Sequence, residues 1–213
     1  MKVIAIDGPA GSGKSTVAKE LARRMGLEYL DTGAMFRAVT FAAIHRGVDP
    51  DDRDAVAAIA ESVDIEVSER GVFVDGVDAT IEIRGPEVTR AVSAVAANAV
   101  VRRELKAQQV AWARQRGGGV IEGRDIGSVV FPDAELKLYL TARPEVRAAR
   151  RSKEVTDLNY EQVAASIAER DARDSTREHA PLVEADGALV VDTSDRSVDD
   201  IVADIIGQLG KSS

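Results

Sequence analysis

The segment Gly8-Pro9-Ala10-Gly11-Ser12-Gly13-Lys14-Ser15-Thr16 carries the most specific chemistry in this 213-residue sequence. It follows the aliphatic run Lys2-Val3-Ile4-Ala5-Ile6-Asp7 and opens a stretch of helical periodicity. In that context the pattern G-x-x-x-x-G-K-[ST] binds nucleotide phosphates. Glycines let successive backbone N–H groups turn inward toward phosphate oxygens, and the helix N-terminus behind them adds positive potential. Lys14 is then expected at the β and γ phosphates of ATP. Ser15 is expected at a Mg²⁺ ion shared with those phosphates and water, with Thr16 beside it. A glycine-rich turn that binds nothing has no use for Lys-Ser directly after its last glycine.

A phosphate loop alone does not separate kinases from switches and motors. The sequence contains no Asn-Lys pair, so the Asn-Lys-x-Asp guanine reader of a GTPase switch is absent. A motor places a hydrolytic carboxylate at the end of a long apolar strand, whereas here the short run Gly119-Val120-Ile121 ends in Glu122-Gly123-Arg124-Asp125. A small-molecule kinase fits better, and its second substrate must lie opposite the loop for in-line transfer. Leu30-Asp31-Thr32-Gly33-Ala34-Met35-Phe36-Arg37 ends a second short strand and opens a helix. Because the carboxyl ends of strands in doubly wound sheets face the ligand crevice, Thr32 and Arg37 are expected to project toward that space.

With the phosphate loop, Asp31-Thr32-Gly33, Ile83-Arg84, Val101-Arg102, Gly123-Arg124-Asp125-Ile126-Gly127, Phe131-Pro132-Asp133-Ala134, Glu169-Arg170-Asp171 through Arg177, and Ala180-Pro181-Leu182, nearly the whole chain resembles the bacterial cytidylate kinases. The resemblance implies transfer of the γ-phosphoryl group of ATP to CMP or dCMP. It also implies that Arg37, Arg124 and Arg177 hold the acceptor phosphate or bridge it to the donor, where two polyanions would otherwise repel. Arg147, Arg150 and Arg151 fall at the family's lid, and Arg150 is the one assigned to the donor phosphates; a solvated basic helix face is the plainer alternative. By the same resemblance Arg102 and Asp125 read the base, Ser93 adds a hydroxyl contact, and Arg170 and Asp174 bind the ribose. The chemistry is consistent, since a carboxylate beside a guanidinium matches cytosine's amino donor and ring-nitrogen acceptor and mismatches uracil. Taken singly, Arg124-Asp125 reads equally as a local salt bridge, and Arg170 to Arg177 as a charged helix face. Two residues depart from the family pattern: Phe36 stands where tyrosine is usual and Glu122 where aspartate is usual. A nucleoside monophosphate kinase of other base preference, and a nucleotide-dependent switch or binding protein, stay open as alternatives.

These residues need a scaffold. Short aliphatic runs at 3–6, 29–30, 120–121, 136–140 and 189–191 alternate with helical stretches at 14–25, 34–45, 98–116, 145–151, 160–173 and 198–209. That alternation predicts an α/β fold of the P-loop NTPase type: a doubly wound parallel sheet of five strands with helices on both faces. Residues 65–83 break the alternation with short strands and turns at Glu69-Arg70-Gly71 and Asp75-Gly76, a small antiparallel insertion that Pro86 closes. Gly117-Gly118-Gly119 reads as a flexible turn. The expected organisation is one kinase domain, 1–213, with an acceptor-binding β insertion at 61–92 and a short helical lid at 144–158. Trp112 lies on an apolar stripe with Val101 and Leu105, which favours core packing over base stacking. His45, near a helix end before Arg46-Gly47, reads as a C-terminal capping residue.

Composition narrows the field further. Cysteine is absent and only His45 and His179 are present, which removes disulfide scaffolds, thiolate metal sites and a Ser-His-Asp relay from consideration. The net charge of −8 argues against a grip on long nucleic acid. The basic residues comprise 7 lysines and 21 arginines, and guanidinium forks suit small anions. No run approaches the length of a membrane helix, and the N-terminus runs straight into a strand, so a cytoplasmic monomer without membrane attachment is expected.

Overall fold

Parallel strands with both faces covered need apolar side chains in succession, and the strands here have them. In the computed structural model, which describes residues 1–68, 70–153 and 159–209, five strands form one sheet: β1 (Lys2–Asp7), β2 (Tyr29–Asp31), β6 (Gly118–Glu122), β7 (Leu136–Thr141) and β8 (Leu189–Asp192). Their order is β2-β6-β1-β7-β8, with β1 parallel to both β6 and β7 and β8 parallel to β7. Ile4, Ile6, Val120, Leu138 and Leu140 pack under α1 (Lys14–Met25) and α8 (Val198–Leu209) through Val17, Leu21, Ile201 and Ile205. Val3, Ala5 and Ile121 on the opposite face are buried as well, as the doubly wound reading requires. Two further helices, α6 (Pro144–Ser152) and α7 (Tyr160–Thr176), pack on each other through Ala148, Val163 and Ile167. The expected lid, 144–158, is described as far as residue 153; residues 154–158 lie outside the described part, as does Glu69 of the expected turn.

The chain divides into two compact units, 1–29 with 116–213, and 30–115. The second unit contains α2 (Thr32–His45), α3 (Arg53–Ser62), α4 (Pro86–Ala96), α5 (Ala99–Gln115) and the antiparallel sheet β3 (Ile65–Ser68), β4 (Gly71–Val74), β5 (Val77–Asp78). Residues 61–92 lie wholly inside it. Here α2 packs against α3 and α4, and α3 against α5.

Several sequence expectations change. Pro86 does not close the insertion but occupies the first turn of α4, where a missing N–H costs nothing. Helices α3 and α4 were not anticipated. Asn98 caps α5 instead of belonging to it, accepting from the Val100 N–H at 3.0 Å. The buried stripe of α5 runs Val101, Leu105, Gln109, Ala113, leaving Trp112 half-buried at its edge. Only Gly117 serves as the turn before β6; Gly118 and Gly119 are strand residues registered with Lys2 and Val3. His45 is the last residue of α2, stacked on Phe41 at 5.4 Å, and the C-cap expected of it is instead Arg46, whose N–H donates to the Ala42 carbonyl at 3.0 Å.

Candidate active site

Between β1 and α1 the loop 8–13 adopts the turns its glycines permit. Gly11 and Gly13 have φ of 73° and 85°, and a Cβ on Gly8 would stand 2.0 Å from the Leu140 carbonyl oxygen. Lys14 is buried, and its Nζ donates to the Pro9 carbonyl at 2.8 Å, folding back over its own loop. Burial, reinforced by Arg124 and Arg170 and opposed by Glu122 and Asp7, lowers the Lys14 pKa to about 7. Ser12 Oγ is buried with no hydrogen-bond partner among the described residues. An orphaned hydroxyl inside a ring of glycine turns, beside a lysine, fits a phosphate group. Ser15 and Thr16 begin α1 with exposed side chains.

Two helices reach this loop. Arg150 on α6 donates to Thr193 Oγ1 at 2.9 Å and to the Thr193 carbonyl at 2.7 Å, and Thr193 Oγ1 in turn donates to the Ser12 carbonyl at 2.9 Å. Arg147 donates to the Ala10 carbonyl at 3.1 Å and pairs with Asp171 of α7, which itself accepts from the Ala10 N–H at 3.1 Å. Of the three arginines expected at the lid, Arg147 therefore touches the phosphate loop directly and Arg150 reaches it through Thr193.

The same unit gathers five of the residues expected at the acceptor site. Arg124 donates from Nε to Asp174 at 2.8 Å and from Nη1 to the Gly8 carbonyl at 2.6 Å. Arg177 stands 3.7 Å from the other Asp174 oxygen and 3.4 Å from Asp125, and Arg170 stands 3.9 Å from Asp174. Three guanidinium groups thus stand around the buried Asp174, Arg177 among them also reaching the buried Asp125, and Arg124 and Arg170 act on Lys14. Burial would push the Asp174 carboxyl up, but Arg124, Arg170 and Arg177 more than offset this and hold it below the usual carboxylate range. Burial, then Arg124, bring Arg170 down to about 10.

The second unit carries Thr32, Arg37, Ser93 and Arg102. Asp31 caps α2 by accepting from the Ala34 N–H at 2.9 Å, which sets Thr32 at the first turn. The Arg37 guanidinium is buried and donates to the Ile83 carbonyl and to Thr89 Oγ1, each at 2.9 Å. Arg102 donates to the Ala96 carbonyl at 3.1 Å and lies over the Phe36 ring, 5.2 Å from its centroid. Ring packing thus persists at the position where the tyrosine hydroxyl is missing. Ser93 is half-buried on α4.

With this geometry in view, the comparisons are specific: the family described as cytidylate kinase matches residues 4–211. The chain belongs to the cytidylate kinase family. A bifunctional pantoate ligase/cytidylate kinase of Synechococcus sp. (strain CC9605) is 47% identical over 97% of this chain and 45% of its own length. The protein of the same description from Synechococcus sp. (strain WH7803) is 50% identical over 94% of this chain and 43% of its own. The chain thus spans less than half the length of these curated relatives. Among solved structures, TT1252 from Thermus thermophilus has a TM-score of 0.52 at 20% identity, covering 100% of this chain and 98% of that one. A sugar kinase from Janibacter sp. HTCC2649 has 0.51 at 18% identity, covering 99% and 95%. These likenesses show the fold.

For a cytidylate kinase family member, sequence reasoning named the charged residues but not what holds them. Asp7, Asp171 and Thr193 brace the site through bonds to residues far away in sequence. Glu122 accepts from the Tyr29 hydroxyl and lies in the field of Lys14, so the longer carboxylate is held in place from the neighbouring strand. Among the described residues no group of three His, Cys, Asp or Glu side chains gathers to hold a metal.

Proposed function

We propose that the chain transfers the γ-phosphoryl group of ATP to CMP or dCMP, giving CDP or dCDP and ADP, as a step of pyrimidine nucleotide metabolism. The observation that carries this reading is the family match over 4–211, laid on a phosphate loop whose lysine adjoins a buried arginine cluster. In this reading Gly8 to Thr16 cradle the donor phosphates, Lys14 and Arg150 neutralise them, and Ser15 offers its hydroxyl to Mg²⁺, which supplies further charge on the phosphates. Arg37, Arg124 and Arg177 hold the acceptor phosphate in line. Arg102 and Asp125 read cytosine with Ser93, Arg170 and Asp174 bind the ribose, and Thr32 lines the acceptor side. The acceptor phosphate is already nucleophilic, so positioning and charge suffice and no general base is assigned. The remaining proposals are one kinase domain over 1–213 with the β insertion 61–92 on the acceptor, the lid 144–158 on the donor, and a cytoplasmic monomer.

The test is ADP production from Mg-ATP without acceptor and then with CMP, dCMP, UMP, AMP or GMP. ADP that appears only with CMP or dCMP is the expected result. Equal ADP without any acceptor would assign the site to an ATPase or switch, and a preference for another monophosphate would keep the reaction and remove Arg102 and Asp125 from base reading.

A further inference from the structure

Asp125 sits at the capping position of a turn of π-helix, Ile126–Val130, yet its own side chain makes no capping bond. An aspartate there ordinarily accepts from the N–H of the second or third residue of its helix, here Gly127 or Ser128. The Gly127 N–H is taken from elsewhere: Asp7, at the end of β1, accepts from it at 2.7 Å with one carboxylate oxygen and from the Ile126 N–H at 2.8 Å with the other. Asp7 is only 3% exposed. One residue further, the Gly8 carbonyl accepts from Arg124 at 2.6 Å. The backbone is therefore fastened to β1 on both sides of Arg124–Asp125, through the Ile126 and Gly127 N–H groups on Asp7 and through the Gly123 N–H on the Ile6 carbonyl at 2.9 Å, while the Arg124 guanidinium holds Gly8 and the Asp125 carboxylate is turned to within 3.4 Å of Arg177.

We propose that Asp7 is a positioning residue for acceptor recognition: by accepting from the Ile126 and Gly127 N–H groups in place of Asp125, it fixes the backbone that follows Asp125 and directs the Asp125 carboxylate away from its own turn. Without Asp7 the nearest carboxylate able to cap that turn is Asp125 itself, and an Asp125 that caps its own turn no longer faces the base. The same bonds make the phosphate loop and the 123–127 loop one rigid piece, so an error in one is passed to the other. This inference rests on the assignment of Asp125 to the cytosine.

The test is the Asp7→Asn variant, which keeps the shape but sets an amide NH₂ against one of the two N–H groups. Loss of folded protein lowers turnover on every acceptor alike and leaves the ratio of kcat/KM for CMP to that for UMP unchanged. The expected result is a fall in that ratio of at least about tenfold, because a buried acceptor that no longer meets its donor forfeits its discrimination. An unchanged ratio overturns the proposal. Should Asp7→Asn not fold, the wild-type protein decides by NMR. Scalar coupling across the hydrogen bond from the Ile126 and Gly127 amide nitrogens to the Asp7 carboxyl carbon is expected, and its absence from both overturns the proposal. Wild-type protein that forms no ADP with CMP fails the proposed activity instead, while the coupling still reports on the cap.

Discussion

A lysine that is buried and faces two guanidinium groups is costly to keep charged, and Lys14 is such a residue, with a pKa brought down to about 7. In the free protein above pH 7 the folded state therefore holds fewer protons than the unfolded state, up to the ordinary value of 10.5, and the contribution of Lys14 to stability rises with pH across that window. Asp7 runs the other way: burial raises it to about 6 from 3.8 against its two N–H bonds, so its contribution falls as pH rises through that interval. Triphosphate beside Lys14 favours the ammonium form, so binding of Mg-ATP at pH 8 should draw up to one proton from solution. Calorimetric titrations in two buffers of different ionisation enthalpy should give different apparent heats at pH 8. The difference should shrink by pH 6 and vanish in Lys14→Met. Buffer-independent heats at pH 8 in the wild type would show that Lys14 is already charged before ATP arrives. The motif made Lys14 legible in sequence, but not its depressed basicity, which arises from Arg124 and Arg170, more than a hundred residues away along the chain. Asp7 and Asp171 were illegible for a related reason. Their partners Ile126, Gly127 and Ala10 are contacted through backbone N–H groups, which leave no mark on residue type.

At the level of elements, the five core strands could be read because β-branched and aliphatic runs of that length have few other uses. The helix α4 could not, because Val88, Val92 and Val95 are β-branched residues whose helical spacing is visible only once Pro86 is taken as a first-turn residue. Likewise α3 hides its buried Val56, Ile59 and Ala60 in an alanine-rich stretch, where Asp52, accepting from the Ala55 N–H at 3.1 Å, was the available signal. The glycine run before β6 was misread because flexibility and close approach call for the same residue. At Gly117 φ is 71° with open space around a would-be Cβ, whereas at Gly118 that Cβ would lie 2.0 Å from the Lys2 carbonyl oxygen and 2.6 Å from its carbon. Gly117→Ala should cost about 1 kcal/mol for the left-handed backbone alone. Gly118→Ala must also push β6 from β1 and should cost about 3 kcal/mol or more. Urea unfolding of the two variants separates these values, and equal midpoints would mean that β1 and β6 do not approach as described.

For the molecule as a whole, a net charge of −8 coexists with arginines drawn inward around Asp174 and Asp125. The acidic exterior disfavours long polyanions, while the interior cluster suits a compact one whose charges replace the water that guanidinium groups lose on burial. Asp174 is the pivot, 5% exposed and within ion-pair distance of Arg124, Arg170 and Arg177. Because its carboxyl is held below 3.8, its contribution is complete above that pH and lost as pH falls through the folded value. Asp174→Asn removes the charge at every pH and takes from Arg124, Arg170 and Arg177 the carboxylate they share. Breaking a buried ion pair from one side costs about 3 kcal/mol. That loss should appear as a lower melting temperature in low-salt chloride buffer. An anion that enters the cluster restores the missing charge, and stabilises the variant by about 2.7 kcal/mol when present at a hundred times its dissociation constant. Sulfate or inorganic phosphate should therefore raise the melting temperature of Asp174→Asn by clearly more than it raises that of the wild type. Equal gains would mean that Asp174 has no part in balancing the charge of these arginines.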